Sequence, residues 1–132
     1  MNNEKNVIDT QALVKFMHGR KVINNKVDSI LRRVDLGKDI VIIPSAVIFE
    51  IGYLHERERI PISLEDIQNI VDNSINYVEE ELTLGIIKTA FEIKDIPELH
   101  DRLIAGTARH LNIPLITNDP IILMSKYVKC IK

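Results

Sequence analysis

The sequence contains no tryptophan, and aromatic residues occupy only 5% of its 132 positions. Any core must therefore be built from Ile, Leu and Val, and hydrophobic residues at 45% supply enough of them to exclude a disordered chain. A single cysteine, Cys130, excludes an internal disulfide. The longest apolar runs, such as Ile40 to Ile43, fall far short of the ~20 residues a membrane-spanning helix needs. The opening residues have neither the basic nor the apolar region of a secretion signal. Repeats, low-complexity tracts and Gly/Ser linkers are missing too. These absences predict one domain over residues 1–132, a cytoplasmic location and no membrane association.

Net charge is −2, which excludes a general polyanion binder, but its distribution is uneven. Residues 1–38 carry eight Lys or Arg against four Asp or Glu, residues 39–101 carry four against fourteen, and residues 102–132 carry five against one. Two basic ends flank an acidic middle.

Local patterns alternate between strand and helix. Asn6-Val7-Ile8-Asp9 reads as a short buried strand. Leu13, Phe16 and Met17 give helical spacing from Thr10 to Gly19, and Val27, Ile30, Leu31 and Val34 give a second stripe that Gly37 ends. Ile40 to Ile43 is a continuous apolar run closed by Pro44, as expected of a parallel strand buried on both faces. Ser45 is expected to cap a helix reaching about Glu58. Ser63 and Asp66 form a capping-box pattern for a helix over 64–76. Glu79-Glu80-Glu81 reads as a solvated turn, followed by helices over 82–95 and 98–112. Leu115-Ile116-Thr117 is a strand, Asp119-Pro120 opens a short helix, and 127–131 is a final strand. This alternation predicts an α/β fold with a doubly wound, mainly parallel sheet flanked by helices.

Asp9 ends the first strand and Asp119 follows a later one by two residues. Ligands in open parallel sheets bind beyond the carboxyl ends of the strands, so both acids are candidates for one crevice. Each could also serve as an ordinary helix N-cap. Glu50 lies beside the apolar stripe of Val47 and Leu54, with no basic residue within a turn. Buried there, it needs a metal or a distant Lys or Arg. Asp101 precedes Ile104, Ala105 and Ala108 by three, four and seven residues and so shares their inward face, while its first-turn position also suits the helix dipole. Four carboxylates in one crevice cannot all stay ionised unaided, and a divalent cation with oxygen ligands resolves the conflict. His18, His55, His100 and His110 show no metal-cage spacing, and Cys130 reads as a small core residue.

Four segments together resemble the PIN-domain family, and most closely its VapC toxin branch. They are Val7-Ile8-Asp9-Thr10-Gln11-Ala12-Leu13, Ser45-Ala46-Val47-Ile48-Phe49-Glu50-Ile51, His100 to Ala108, and Pro114-Leu115-Ile116-Thr117-Asn118-Asp119. The resemblance implies a PIN-like α/β fold and Mg²⁺- or Mn²⁺-dependent endoribonuclease activity. It carries Asp9, Glu50, Asp101 and Asp119 over as the metal and catalytic acids, with Thr117 as a supporting hydroxyl. Hydrolysis by an activated water would leave a 5′-phosphate and a 3′-hydroxyl. Many relatives have a further acid two residues beyond the fourth, where this chain has Ile121. The implied partners are an RNA substrate and a small antitoxin that blocks the acidic site, with a homodimer as a further option.

An acidic site repels phosphate, so RNA affinity must come from basic residues around it. Lys15, Arg20, Lys21, Arg102 and Arg109 lie nearest in sequence and are expected to meet that crevice. Competing readings are a stand-alone RNA-processing nuclease of the same family, a catalytically silent PIN-like module that binds RNA or protein, and a phosphoryl-transfer enzyme with a nucleophilic Asp9. The last would want a second acid where Gln11 stands.

Overall fold

Short runs of aliphatic residues build the sheet. The computed structural model describes residues 3–19 and 25–132. Strands β1 (Lys5–Ile8), β2 (Ile40–Pro44), β3 (Tyr77–Glu80), β4 (Leu115–Ile116) and β5 (Cys130–Ile131) pair in the order β3-β2-β1-β4-β5. Every pairing is parallel, with Val7 in register between Ile42 and Leu115. Central strands β2 and β4 are buried on both faces, which explains their unbroken apolar sequences. Among the described residues the helices are α1 (Thr10–His18), α2 (Asn25–Asp35), α3 (Ser45–Glu56), α4 (Leu64–Asn73), α5 (Leu84–Ala90), α6 (Leu99–Leu111) and α7 (Pro120–Leu123).

The expected doubly wound α/β fold is the one observed. From β1 the chain winds outward through β2 to β3, then returns to the other side of β1 as β4 and β5. The switch point is therefore the β1–β4 pair, where connections leave in opposite directions and open a crevice beyond the strand ends. Helix α3 packs beside α1 and α6, and α5 runs along α6. Ile8, Leu13, Ile51, Ile104 and Leu115 are wholly buried in one continuous core. Each contributes ~1.5–3 kcal/mol by leaving water, so strands and site-bearing helices are fixed to one another.

Several boundaries differ from the sequence-based expectation. Ser45 does not cap α3. It is the first helical residue, Pro44 precedes it, and its hydroxyl turns to the Glu80 carbonyl oxygen 3.1 Å away. Helix α3 stops at Glu56, because Glu58 adopts a left-handed conformation at φ 58°. Helix α4 ends at Asn73 rather than Asn76, since Ser74 is extended and leads into β3. Glu79 and Glu80 form no solvated turn. They pair with Ile43 and Pro44 on the edge strand. Helix α5 covers only Leu84–Ala90 behind its Thr83 cap, and the chain beyond it buries Ile93 and Ile96 outside any helix. The first strand starts at Lys5 and the last two are shorter than expected, β4 stopping at Ile116 and β5 spanning Cys130–Ile131. The Ser63–Asp66 capping box forms as expected, with both reciprocal hydrogen bonds present.

Candidate active site

A cleft of about 170 Å³ opens at the switch point, lined by Asp9, Glu50, Asp101 and Asp119 together with Thr10 and Asn118. Each acid arrives by a separate element. Asp9 closes β1 and caps α1, accepting from the Ala12 N–H at 2.9 Å. Asp119 follows β4 and caps α7, accepting from the Ile121 N–H at 2.8 Å. Glu50 sits in α3, and Asp101 in the first turn of α6, whose cap is Glu98. For Asp9 and Asp119, capping and cleft lining are thus compatible. Capping uses one carboxylate oxygen and leaves lone pairs directed elsewhere.

Two hydroxyls tie the acids to the frame. Thr117 is buried, donates to Asp9 Oδ2 and accepts from the Asp119 N–H at 3.0 Å. One side chain therefore fixes two strand ends. Thr10, the first residue of α1, donates to Glu50 Oε1 across the cleft. Neither oxygen of Asp101, nor Asp119 Oδ2, nor Glu50 Oε2 accepts a hydrogen bond among the described residues.

Electrostatics follow from that geometry. Burial raises the Asp9 carboxyl above its ordinary range, with Asp119 and Glu50 adding to it, although hydrogen bonds from Thr117 and Ala12 oppose the shift. Asp101 is pushed up to about 6, first by burial and then by Asp119, Glu98, Glu50 and Asp9. Among the described residues no Lys, Arg or His lines the cleft to neutralise them. Nor do three His, Cys, Asp or Glu side chains close into a ready cage for a metal. The acids ring the cleft, as mutual repulsion requires when nothing neutralises them. The donor set is nonetheless all oxygen, with free lone pairs on three carboxylates and no competing cation among the described residues. That fits a hard divalent ion which keeps part of its water shell.

The five expected basic contacts behave differently from the acids. Arg20 and Lys21 lie outside the described residues. Lys15, Arg102 and Arg109 do not line the acidic cleft. Arg102 donates to the Ile96 carbonyl at 2.8 Å and lies over the Phe91 ring, so it braces the 91–97 segment. Arg109, two turns further along α6, pairs with Glu92 and with the Tyr127 carbonyl. Thr10, Gln11 and Asn118 join the cleft without having been singled out. A hydroxyl immediately after a strand-end acid was the only available signal for Thr10.

Residues 7–126 match the family model described as "PIN domain". Among solved structures, the chain is similar to DNA-bound VapBC from Salmonella typhimurium, at 16% identity and TM-score 0.70, with 97% of each chain covered. A toxin–antitoxin complex from Klebsiella pneumoniae matches at 14% identity and TM-score 0.64, covering 96% of this chain and 95% of that one. A sarcin-ricin-loop-cleaving VapC toxin from Mycobacterium tuberculosis matches at 14% identity and TM-score 0.63, covering 94% and 97%. No curated protein matches the chain.

Proposed function

Because the chain belongs to the PIN-domain family, we propose that it is a divalent-metal-dependent endoribonuclease and the toxin of a toxin–antitoxin pair. The observation that carries this reading is the cleft at the switch point, where four carboxylates converge with no cationic side chain of the described residues among them. PIN nucleases generally use divalent metal ions. Here Asp9, Glu50, Asp101 and Asp119 would hold Mg²⁺ or Mn²⁺. Bound there, the cation supplies neutralising charge for the phosphate and acidifies a water.

The remaining chemistry belongs to the chain. Thr117 and the α1 backbone fix the Asp9 carboxylate, and Thr10 fixes that of Glu50. Whichever of the four carboxylates does not sit directly on the metal would accept the attacking water's proton. In-line attack then breaks the phosphorus–oxygen bond to the 3′ carbon's oxygen and leaves a 5′-phosphate and a 3′-hydroxyl. The similarity to a sarcin-ricin-loop-cleaving toxin supports RNA as the substrate.

The same carboxylates suit an antitoxin that inserts an arginine, since the guanidinium fork pairs bidentately with carboxylate. Adding the partner should stop cleavage. Changing its inserted Arg to Ala should release the block, and inhibition unaffected by that change would reject this contact.

The direct test incubates the purified chain with RNA and millimolar Mn²⁺, with and without chelator, beside Glu50→Gln. Cleavage is expected only for the wild type with metal. A wild type inert under these conditions, or cleavage unaffected by chelator and by Glu50→Gln, rejects the reading.

A further inference from the structure

A second, wider cleft of about 500 Å³ lies at the other end of α6, near the strands' amino ends. Asp101 starts α6 and Arg109 lies in its last turn, roughly 12 Å further along the helix axis at 1.5 Å per residue. The cleft gathers Arg109, His110, Lys126, Tyr127 and Lys129 against one acid, Glu92. The guanidinium of Arg109 is held in place. Its Nε donates to Glu92 at 3.0 Å, one terminal nitrogen donates to the Tyr127 carbonyl at 3.0 Å, and it lies over the Tyr127 ring. Its other terminal nitrogen donates to nothing among the described residues. Lys126 and Lys129 are exposed, and neither joins an ion pair within 4 Å among the described residues, although the Asp95 carboxylate lies near Lys126 and accepts its backbone N–H at 2.8 Å.

Arg109 and His110 have a local explanation, because cations in a last turn meet the negative end of the helix dipole. That account does not reach Lys126 and Lys129, which come from the segment between α7 and β5. A cleavage cleft lined by four carboxylates and, among the described residues, by no Lys, Arg or His cannot hold an RNA strand by itself. The strand needs cations elsewhere. We infer that the second cleft binds the phosphodiester backbone of the substrate RNA away from the cleavage point, with Lys126 and Lys129 meeting phosphates beside the fixed Arg109. This rests on the ribonuclease reading for the identity of the strand. A free phosphate is disfavoured, since it would face the negative end of α6 with no anchor. A strand already seated in the acidic cleft needs only added screened contacts.

The test has two arms. In an Asp101→Asn background, Lys126→Ala with Lys129→Ala is compared with the parent for affinity to a structured RNA of about 30 nucleotides across a salt series. Two lost phosphate contacts should flatten the log–log slope by ~1.4 units, at ~0.7 per contact, and weaken binding roughly 25-fold near 0.1 M salt. In the active background, KM for that RNA should rise similarly, while turnover of an oligonucleotide of about four nucleotides stays unchanged. Arg at both lysine positions should restore the wild-type behaviour. An unchanged slope overturns the inference, and so does an equal loss on both substrates. Inorganic phosphate binding that needs the lysines while RNA binding does not would also overturn it. A chain that never cleaves, yet binds RNA with a lysine-dependent slope, would retain this site and reject the nuclease reading.

Discussion

Thr117 illustrates how one hydroxyl can organise the cleft. It donates to Asp9 in a buried setting and receives the Asp119 N–H in a half-buried one. Thr117→Val keeps the shape and removes both bonds, leaving a buried carboxylate oxygen and a backbone donor unpaired, at a cost of ~1–3 kcal/mol. Cleavage should fall by roughly 10–100-fold, the usual scale for residues that orient ligand groups, and Thr117→Ser should keep most of it. Equal activity of Val and Ser variants in an initial-rate assay would remove Thr117 from the site. Asp101 makes a pH-dependent prediction. Its carboxyl titrates at about 6 when folded and near 3.8 when unfolded. Below pH 3.8 both states are protonated and the group is neutral for stability. As pH rises the unfolded chain gives up the proton first, so the folded state is disfavoured, fully so above pH 6. A two-unit shift corresponds to ~3 kcal/mol, cut by solvent screening of this half-exposed group to about 1 kcal/mol. Metal-free Asp101→Asn should therefore melt about 3–4 °C higher at pH 8 and no higher at pH 3.5, by calorimetry. An equal effect at both pH values would contradict the burial and charge argument. The four acids were legible because strand ends and inward helix faces are written in local spacing. Thr10 was not, because its partner Glu50 lies 40 residues away and no periodicity records that.

At the scale of elements, α6, which carries Asp101, packs closely along α5. Gly106 makes the approach possible. A Cβ there would sit 2.7 Å from Ala90 Cβ and 2.9 Å from Ala90 Cα. Gly106→Ala gains up to ~1 kcal/mol of helix propensity, but the second contact is with backbone and forces the helices apart at ~1–3 kcal/mol. Net destabilisation of about 1–2 kcal/mol is expected in urea, with partial recovery on Ala90→Gly. A neutral or stabilising Gly106→Ala would show that the pair can separate freely. Strand β3 is not legible in the sequence. Only Tyr77 of its four residues is buried, and its glutamates suit an edge that discourages further pairing. Charge there reports an edge strand as readily as a turn, so composition could not separate the two. Helix α5 was overextended for a related reason. Ile93 and Ile96 keep helical spacing while being buried by a loop.

For the molecule as a whole, topology does the work of assembly. Returning from β3 to β4 beside β1 puts the two strand-end acids at neighbouring exits, and α3 and α6 bring the other two over them. The alternation of strands and helices made this fold readable in outline. The charge map was readable only by segment. It indicated that residues 102–132 are basic, but Arg102 turned out to brace a loop and Arg109 to face a different cleft. We propose hydrolysis of RNA in the acidic cleft by a water that a bound divalent ion would acidify. Its most direct test is the chemistry of the ends left on a defined RNA cut in Mn²⁺ by the wild type and by Asp101→Asn. The wild type is expected to leave 5′-phosphate and 3′-hydroxyl ends, and the variant to give almost no product. Ends bearing a 2′,3′-cyclic phosphate, formed equally by both proteins and in the presence of chelator, would contradict it.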